Sequence, residues 1–135
     1  ISFVSRSKGE KPTEKDTVWL ADSYGELGLW YRIASNALIG GGFNKIGGHN
    51  PWEAVNLGTT VFYGPDTNNF ESDYKLLEDV GAAFMVEPSQ LANALSTLKS
   101  NNAARRVNAI VTNEKRKLDG LAEDLLNILV QGHRV

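Results

Sequence analysis

The densest concentration of potential chemistry is the stretch Gly40-Gly41-Gly42-Phe43-Asn44-Lys45-Ile46-Gly47-Gly48-His49-Asn50-Pro51-Trp52-Glu53. Five glycines fall in the nine positions from 40 to 48. Glycine lets backbone come close to a ligand and takes positive φ without a steric penalty. The stretch runs into a predicted helix, with Asn50 as N-cap and Pro51 at the first helical position, where a missing amide is no loss. A helix start offers unpaired amides and the positive end of the dipole, so the ligand expected here is an anion, most naturally phosphate. No Gly-Lys-Ser/Thr closes the loop as in a Walker A motif, and the spacing is not G-x-G-x-x-G. The competing reading is a glycine-rich turn that needs only tight geometry.

Gly47, Gly48, His49, Asn50 and Glu53 are therefore the candidate binding residues of this loop. Glu53, one turn inside the helix, is suited to accept hydrogen bonds from two ribose hydroxyls. His49 is suited to donate to a phosphate or carboxylate oxygen, or to brace the loop. It is not read as a metal ligand, because the only other histidine is His133 in the C-terminal tail.

A second loop, Ala21-Asp22-Ser23-Tyr24-Gly25-Glu26-Leu27-Gly28, also joins a predicted strand to a predicted helix. Asp22 and Ser23 are helix-start residues, since their oxygens accept from first-turn amides. Capping does not account for Gly25, which would weaken a first turn; close approach of a ligand would. The amides of Gly25 and Glu26 are thus candidates for holding a second part of the same ligand. Asp66, Asn68 and Asn69 are read as a solvated loop or as the rim of the same cleft. The Glu114, Lys115, Arg116, Lys117 cluster reads as the wet face of a helix, and Trp19, Trp30 and Trp52 as packing residues. No Ser-His-Asp set and no G-x-S-x-G elbow is present.

These loops need a scaffold, and the apolar pattern supplies one. Ile1 to Val4 is a strand or the end of a helix. Ser5 to Asp16 is a polar loop. Val18 to Ala21 and Ala37 to Ile39 are short continuous apolar runs, as in strands buried on both faces. Leu27, Trp30, Tyr31 and Ala34 recur at helical spacing between them. A short helix from Trp52 to Leu57 stops at Gly58. A β-branched and aromatic strand follows at Thr59 to Tyr63. Phe70 to Val80 reads as a helix, Ala82 to Val86 as a strand, and Leu91, Ala94, Leu95 and Leu98 as one face of another helix. One long helix from Asn101 to Val130 carries a stripe of Ala104, Val107, Val111, Leu118, Leu121, Leu125 and Leu129, with a kink expected at Gly120. Strands alternating with helices mean an α/β fold, a Rossmann-like parallel sheet with helices on both faces. Such sheets bind ligands beyond the carboxyl ends of their strands, which is where both loops fall.

Composition narrows the classes. The chain has 135 residues, 41% hydrophobic and 22% charged, which suits one packed domain. A net charge of -2 gives no sign of a nucleic-acid partner. There are no cysteines, hence no disulfide framework and no thiolate metal site. No apolar run approaches the roughly 20 residues of a membrane span. The chain opens with Ile1 and Ser2 instead of Met. It is read as a fragment truncated on its N-terminal side, with any membrane anchor in the missing part.

Asp22-Ser23-Tyr24-Gly25-Glu26-Leu27 resembles the D-T-x-G-E-L segment of the Kdo transferases. The glycine-rich stretch that ends in Gly47-Gly48-His49-Asn50-Pro51-Trp52-Glu53 resembles their G-G-S-x-x-x-x-G-G-H-N-P-x-E segment, at a matching separation. Arg6-Ser7 is similar to the family's Arg-Ser step. The resemblance extends over nearly the whole chain and is strongest from Val18 to Pro65. Ser23 replaces the usual threonine, Gly42 a small hydroxyl residue, and Trp52 a leucine.

The resemblance implies a GT-B glycosyltransferase, with this chain as the C-terminal, donor-binding half. The implied reaction transfers Kdo from CMP-Kdo to the lipid A precursor, with inversion, and with no metal or cofactor in the transfer. On that basis the CMP phosphate is held by amides near Gly47 to Asn50 and in the Gly25-Glu26 turn, and the ribose by Glu53. The catalytic glutamate, a basic P-R-H segment and the acceptor site are expected outside the chain, so the isolated chain is expected to be inactive. The intact enzyme is expected at the cytoplasmic face of the bacterial inner membrane, attached through the missing part, with this fragment soluble. Part of the long C-terminal helix is expected to pack against the other domain. Two rival readings remain open from the residues: a GT-B enzyme using a UDP-sugar, and a non-catalytic receiver- or flavodoxin-like module.

Overall fold

The structure, a computed structural model, describes residues 1–97 and 103–132. Leu98, Asn101 and His133 lie outside the described residues, as do the side chains of Ala104 and Glu114. The chain divides into two compact units, Ile1–Trp30 and Tyr31–Val135.

In the first unit β1 (Phe3–Ser5) pairs in parallel with β2 (Val18–Leu20), Phe3 opposite Val18 and Ser5 opposite Leu20. The Arg6 amide extends the ladder by donating to the Leu20 carbonyl at 2.9 Å. Trp19 and Trp30 meet edge to face, with centroids 4.8 Å apart, a geometry the ring quadrupoles favour. Sequence pattern suggests that β2 is buried on both faces, but Val18 is 45% and Leu20 48% exposed. The strand has one neighbour in a two-stranded ladder, and only its Trp19 side is packed.

The boundary between the units falls within α1 (Leu27–Ile33). The helix begins later than Asp22 and Ser23 suggest. Glu26 provides the first helical acceptor, its carbonyl taking the amides of Leu29 and Trp30 at 2.9 and 3.3 Å.

The second unit contains a three-stranded parallel sheet in the order β3 (Asn36–Ile39), β4 (Thr60–Tyr63), β5 (Ala83–Met85). The parallel strands thus form two ladders where the sequence suggests one continuous sheet. β4 is central and buried along its whole length. Its neighbour β3 lies at an edge, which leaves Leu38 39% exposed against the expectation of a fully buried strand. Between them run α2 (Trp52–Asn56) and, after β4, α3 (Glu71–Asp79). Each is within about two residues of the segment its apolar spacing predicts. Gly58 (φ 94) ends α2 in a conformation open chiefly to glycine.

The core gathers Ile39, Val55, Val61, Tyr63, Tyr74, Leu77 and Val107. Leu77 is fully buried, worth roughly 1.5–3 kcal/mol relative to exposure. Tyr63 and Tyr74 stack with centroids 4.1 Å apart, tying β4 to α3. Thr59 is also fully buried. Its hydroxyl sits between the carbonyls of Tyr31 and Ala34, meeting two acceptors left over at the end of α1.

After β5 come α4 (Leu91–Thr97) and α5 (Ala103–Gly132). Gly120 is accommodated inside one continuous helix. Only the early part of the predicted apolar stripe is packed. Val107 is fully buried and Val111 42% exposed, whereas Leu118, Leu121, Leu125 and Leu129 are exposed. The fold is α/β and Rossmann-like, with parallel strands and helices on both sides.

Candidate functional site

The glycine loop leaves the end of β3 and is shaped by the loop that leaves β4. Gly47 (φ 87) and Gly48 (φ 74) both hold left-handed conformations that disfavour a side chain. The Gly47 amide donates to Asp66 Oδ2 at 3.1 Å, and the Gly48 amide to the Gly41 carbonyl at 3.2 Å. From the β4 loop, the Asn69 amide donates to the Gly47 carbonyl at 3.0 Å, and Asn69 Nδ2 to the Ile46 carbonyl at 2.8 Å. Asp66 and Asn69 are therefore neither a merely solvated loop nor a bare rim, but the clamp that sets the glycine loop. It follows that Gly47 and Gly48 do not offer their amides to a ligand, because both amides already have acceptors. Their contribution is shape.

The next residues differ. Among the described residues no acceptor is found for the amides of His49 and Asn50, and both residues are exposed. Asn50 Oδ1 accepts from the Trp52 amide at 2.9 Å, and Pro51 has helical dihedrals, so Asn50 acts as the cap of α2. Glu53 is exposed, and its carboxylate has no hydrogen-bond partner among the described residues. Two adjacent free amides, a helix start and an unpartnered carboxylate one turn on thus share one short segment. That combination can hold an anion and accept from hydroxyls beside it.

His49 is fixed from two sides. Its Nδ1 lies 2.9 Å from the Gly40 carbonyl, and the buried Tyr74 hydroxyl donates to the His49 carbonyl at 2.8 Å. A carbonyl only accepts, so Nδ1 carries the proton and Nε2 of the neutral ring is an acceptor. Neutral His49 therefore cannot donate to a phosphate from Nε2, contrary to the role its residue type suggests. Gly41 (φ 84) lies under the ring, and a β-carbon there would come within 2.6 Å of Nδ1. Burial pushes the Tyr74 hydroxyl up to about 12, so it remains a donor at neutral pH.

Gly25 and Glu26 belong to the first unit. Gly25 precedes α1 and has φ 81, so its backbone conformation already accounts for the glycine. The Glu26 carboxylate is held by Arg6, with Nη2 to Oε1 at 2.6 Å and Nε to Oε2 at 3.0 Å, and it also accepts from the Ser23 hydroxyl. These bonds, Arg6 first, hold the Glu26 carboxyl at about 2. Asp22 is not a helix cap. It accepts from the Ser7 amide at 2.8 Å, the Ser7 hydroxyl at 2.6 Å and the Ser5 hydroxyl at 2.9 Å. Those donors, led by the Ser7 hydroxyl, depress its pKa well below the carboxylate range. Arg6-Ser7 thus anchors the Asp22–Glu26 turn within this unit.

Comparison with known proteins adds an independent line. No protein-family model matches the chain. The 3-deoxy-D-manno-octulosonic acid transferase of Haemophilus influenzae is 40% identical over 95 residues, 70% of this chain and 22% of the relative. Those of Rickettsia bellii and Rickettsia prowazekii are each 32% identical, over 79% and 88% of this chain. The chain spans only 26% and 28% of their respective lengths. The crystal structure of the C-terminal CMP-Kdo binding domain of WaaA from Acinetobacter baumannii superposes with a TM-score of 0.64 at 32% identity. That match covers 70% of this chain and 49% of the other. The motifs, the parallel α/β fold and these matches agree: the chain belongs to the 3-deoxy-D-manno-octulosonic acid (Kdo) transferase family and has the fold of its GT-B C-terminal domain.

Proposed function

We propose that this chain is the donor-binding part of an enzyme that transfers Kdo from CMP-Kdo to the lipid A precursor. The observation that carries the reading is the segment from His49 to Glu53, with two unpaired amides at a helix start and a free carboxylate one turn further on. The amides of His49 and Asn50 hold the CMP phosphate. As the bond from the anomeric carbon to the phosphate oxygen breaks, negative charge grows on that phosphate, and fixed amide dipoles stabilise it without reorganising. Glu53 accepts from the ribose hydroxyls.

The same reading assigns the attack on the donor to parts of the enzyme beyond this chain: the general base, the acceptor site and the attachment to the inner membrane. The isolated chain then binds donor but does not turn it over. Among the described residues, no helix is long and apolar enough to cross a membrane.

The experiment is an NMR titration of the chain with CMP, using UDP and AMP as controls. Shifts centred on residues 49–53, with CMP preferred, are expected. An equal or stronger response to UDP would identify a UDP-sugar enzyme instead, and turnover by the isolated chain would contradict the division of labour.

A further inference from the structure

Beside the clamped loop, a cavity of ≈ 570 Å³ opens at the carboxyl ends of all three strands of the second unit. Lys45 comes from the loop after β3, Asp66 from the loop after β4, and Glu87 from the segment after β5. Ligands of parallel α/β sheets settle on this rim. The cavity and the loop that carries the candidate donor segment share Asp66, which lines the cavity and also fixes the Gly47 amide that leads into His49 and Asn50.

The charges lining it differ in their engagement. Asp66 is occupied, accepting from Gly47 through Oδ2 and from Asn68 Nδ2 through Oδ1 at 3.0 Å. Among the described residues neither the Lys45 ammonium nor the Glu87 carboxylate has an ion-pair or hydrogen-bond partner. Glu87 is tied down only through its backbone amide, which donates to Gln90 Oε1 at 3.1 Å. Lys45 also has φ 58, the left-handed conformation that is the exception for a residue with a side chain. That conformation is disfavoured by the clash of the β-carbon with the backbone, and such departures cluster at active and ligand-binding sites.

We infer that this cavity is the subsite for the sugar acid of the donor, with the Lys45 ammonium pairing with the sugar carboxylate and the Glu87 carboxylate accepting from its hydroxyls. A neutral sugar would give Lys45 no counter-charge. A nucleobase can accept from the ammonium and donate to the carboxylate, but only an acid gives Lys45 a full counter-charge. The inference rests on the donor-binding reading above.

Binding of CMP and of freshly prepared CMP-Kdo to the 135-residue chain, with Lys45→Asn and Lys45→Arg variants, tests it. Asparagine tolerates positive φ, so the backbone is kept while the charge is removed. CMP-Kdo is expected to bind the native chain more tightly than CMP does. Lys45→Asn should weaken CMP-Kdo about 10-fold, as for loss of a charged hydrogen bond, and leave CMP within about twofold. Lys45→Arg should recover most of the difference, and Glu87→Gln should likewise weaken CMP-Kdo and spare CMP. Equal losses for the two ligands would place the nucleotide in the cavity and overturn the assignment, as would CMP-Kdo binding that ignores Lys45. If the native chain bound neither ligand, the donor-binding reading itself would fall.

Discussion

The backbones of Gly42 and Gly64 pass so close that neither position has room for a side chain. A β-carbon on Gly42 would lie 2.7 Å from the Gly64 nitrogen and 2.9 Å from its Cα, while Gly42 itself does not hold positive φ. The constraint is therefore packing between the ends of β3 and β4, not backbone conformation. Gly42→Ser, which introduces the small hydroxyl residue common in the family, should force the two loops apart. We expect a loss of about 1–3 kcal/mol, typical of overpacking, measured by denaturant unfolding. A variant as stable as the native chain would show that this contact yields freely.

The His49 ring should exist as the Nδ1–H tautomer when neutral, because Gly40 presents only an acceptor. Nitrogen-15 spectra of the neutral imidazole should show a protonated Nδ1 and an unprotonated Nε2. The opposite pattern would remove the bond to Gly40. His49→Ala should also cost about 0.5–1.5 kcal/mol for the lost hydrogen bond.

Glu53→Gln should weaken CMP binding several-fold and leave the fold intact, since the native carboxylate is exposed and has no hydrogen-bond partner among the described residues. The loss should vanish when the ligand lacks both ribose hydroxyls. An equal loss for the dideoxy nucleotide would mean that Glu53 acts by some route other than the ribose.

Acid should loosen the first unit in a defined window. Ordinary glutamate titrates near 4.3, whereas Glu26 is held at about 2 by Arg6 and then by Ser23. A carboxyl whose folded pKa is the lower one stabilises the fold fully above its unfolded value. That contribution is lost as pH falls from about 4 through about 2. Asp22, depressed first by the Ser7 hydroxyl, works in the same direction and extends the loss to lower pH. Carbon-13 titration of both carboxyl groups checks this. With 39% of Arg6 and 26% of Glu26 side chains exposed, added salt should screen part of the effect.

Much of the fold can be read from short apolar runs between glycines and prolines. Thr60–Tyr63 between Gly58 and Gly64 is the clearest case. The family motifs point to His49, Asn50 and Glu53 through residue type and spacing. What local pattern does not carry is pairing at long range. The Gly47 amide is consumed by Asp66, nineteen residues later, and nothing about the spacing of either residue indicates this. Asp22 has the residue type of a helix cap, yet its partners are Ser5 and Ser7 on the preceding strand and loop. Lys45 fills an unspecified position of the glycine motif and Glu87 belongs to no motif, and only the convergence of three strand ends places them around one cavity.

The clamp from Asp66 and Asn69 also limits how portable the glycine loop is. A transplant of residues 40–53 into another parallel-sheet scaffold would carry the glycines but leave behind the groups that hold residues 46 and 47 in place. Free of them, a run with this many glycines has a large choice of conformations and no reason to keep one. The smallest heritable unit of this site is thus two segments that must change together, 40–53 and 64–69, although a stretch of sequence separates them.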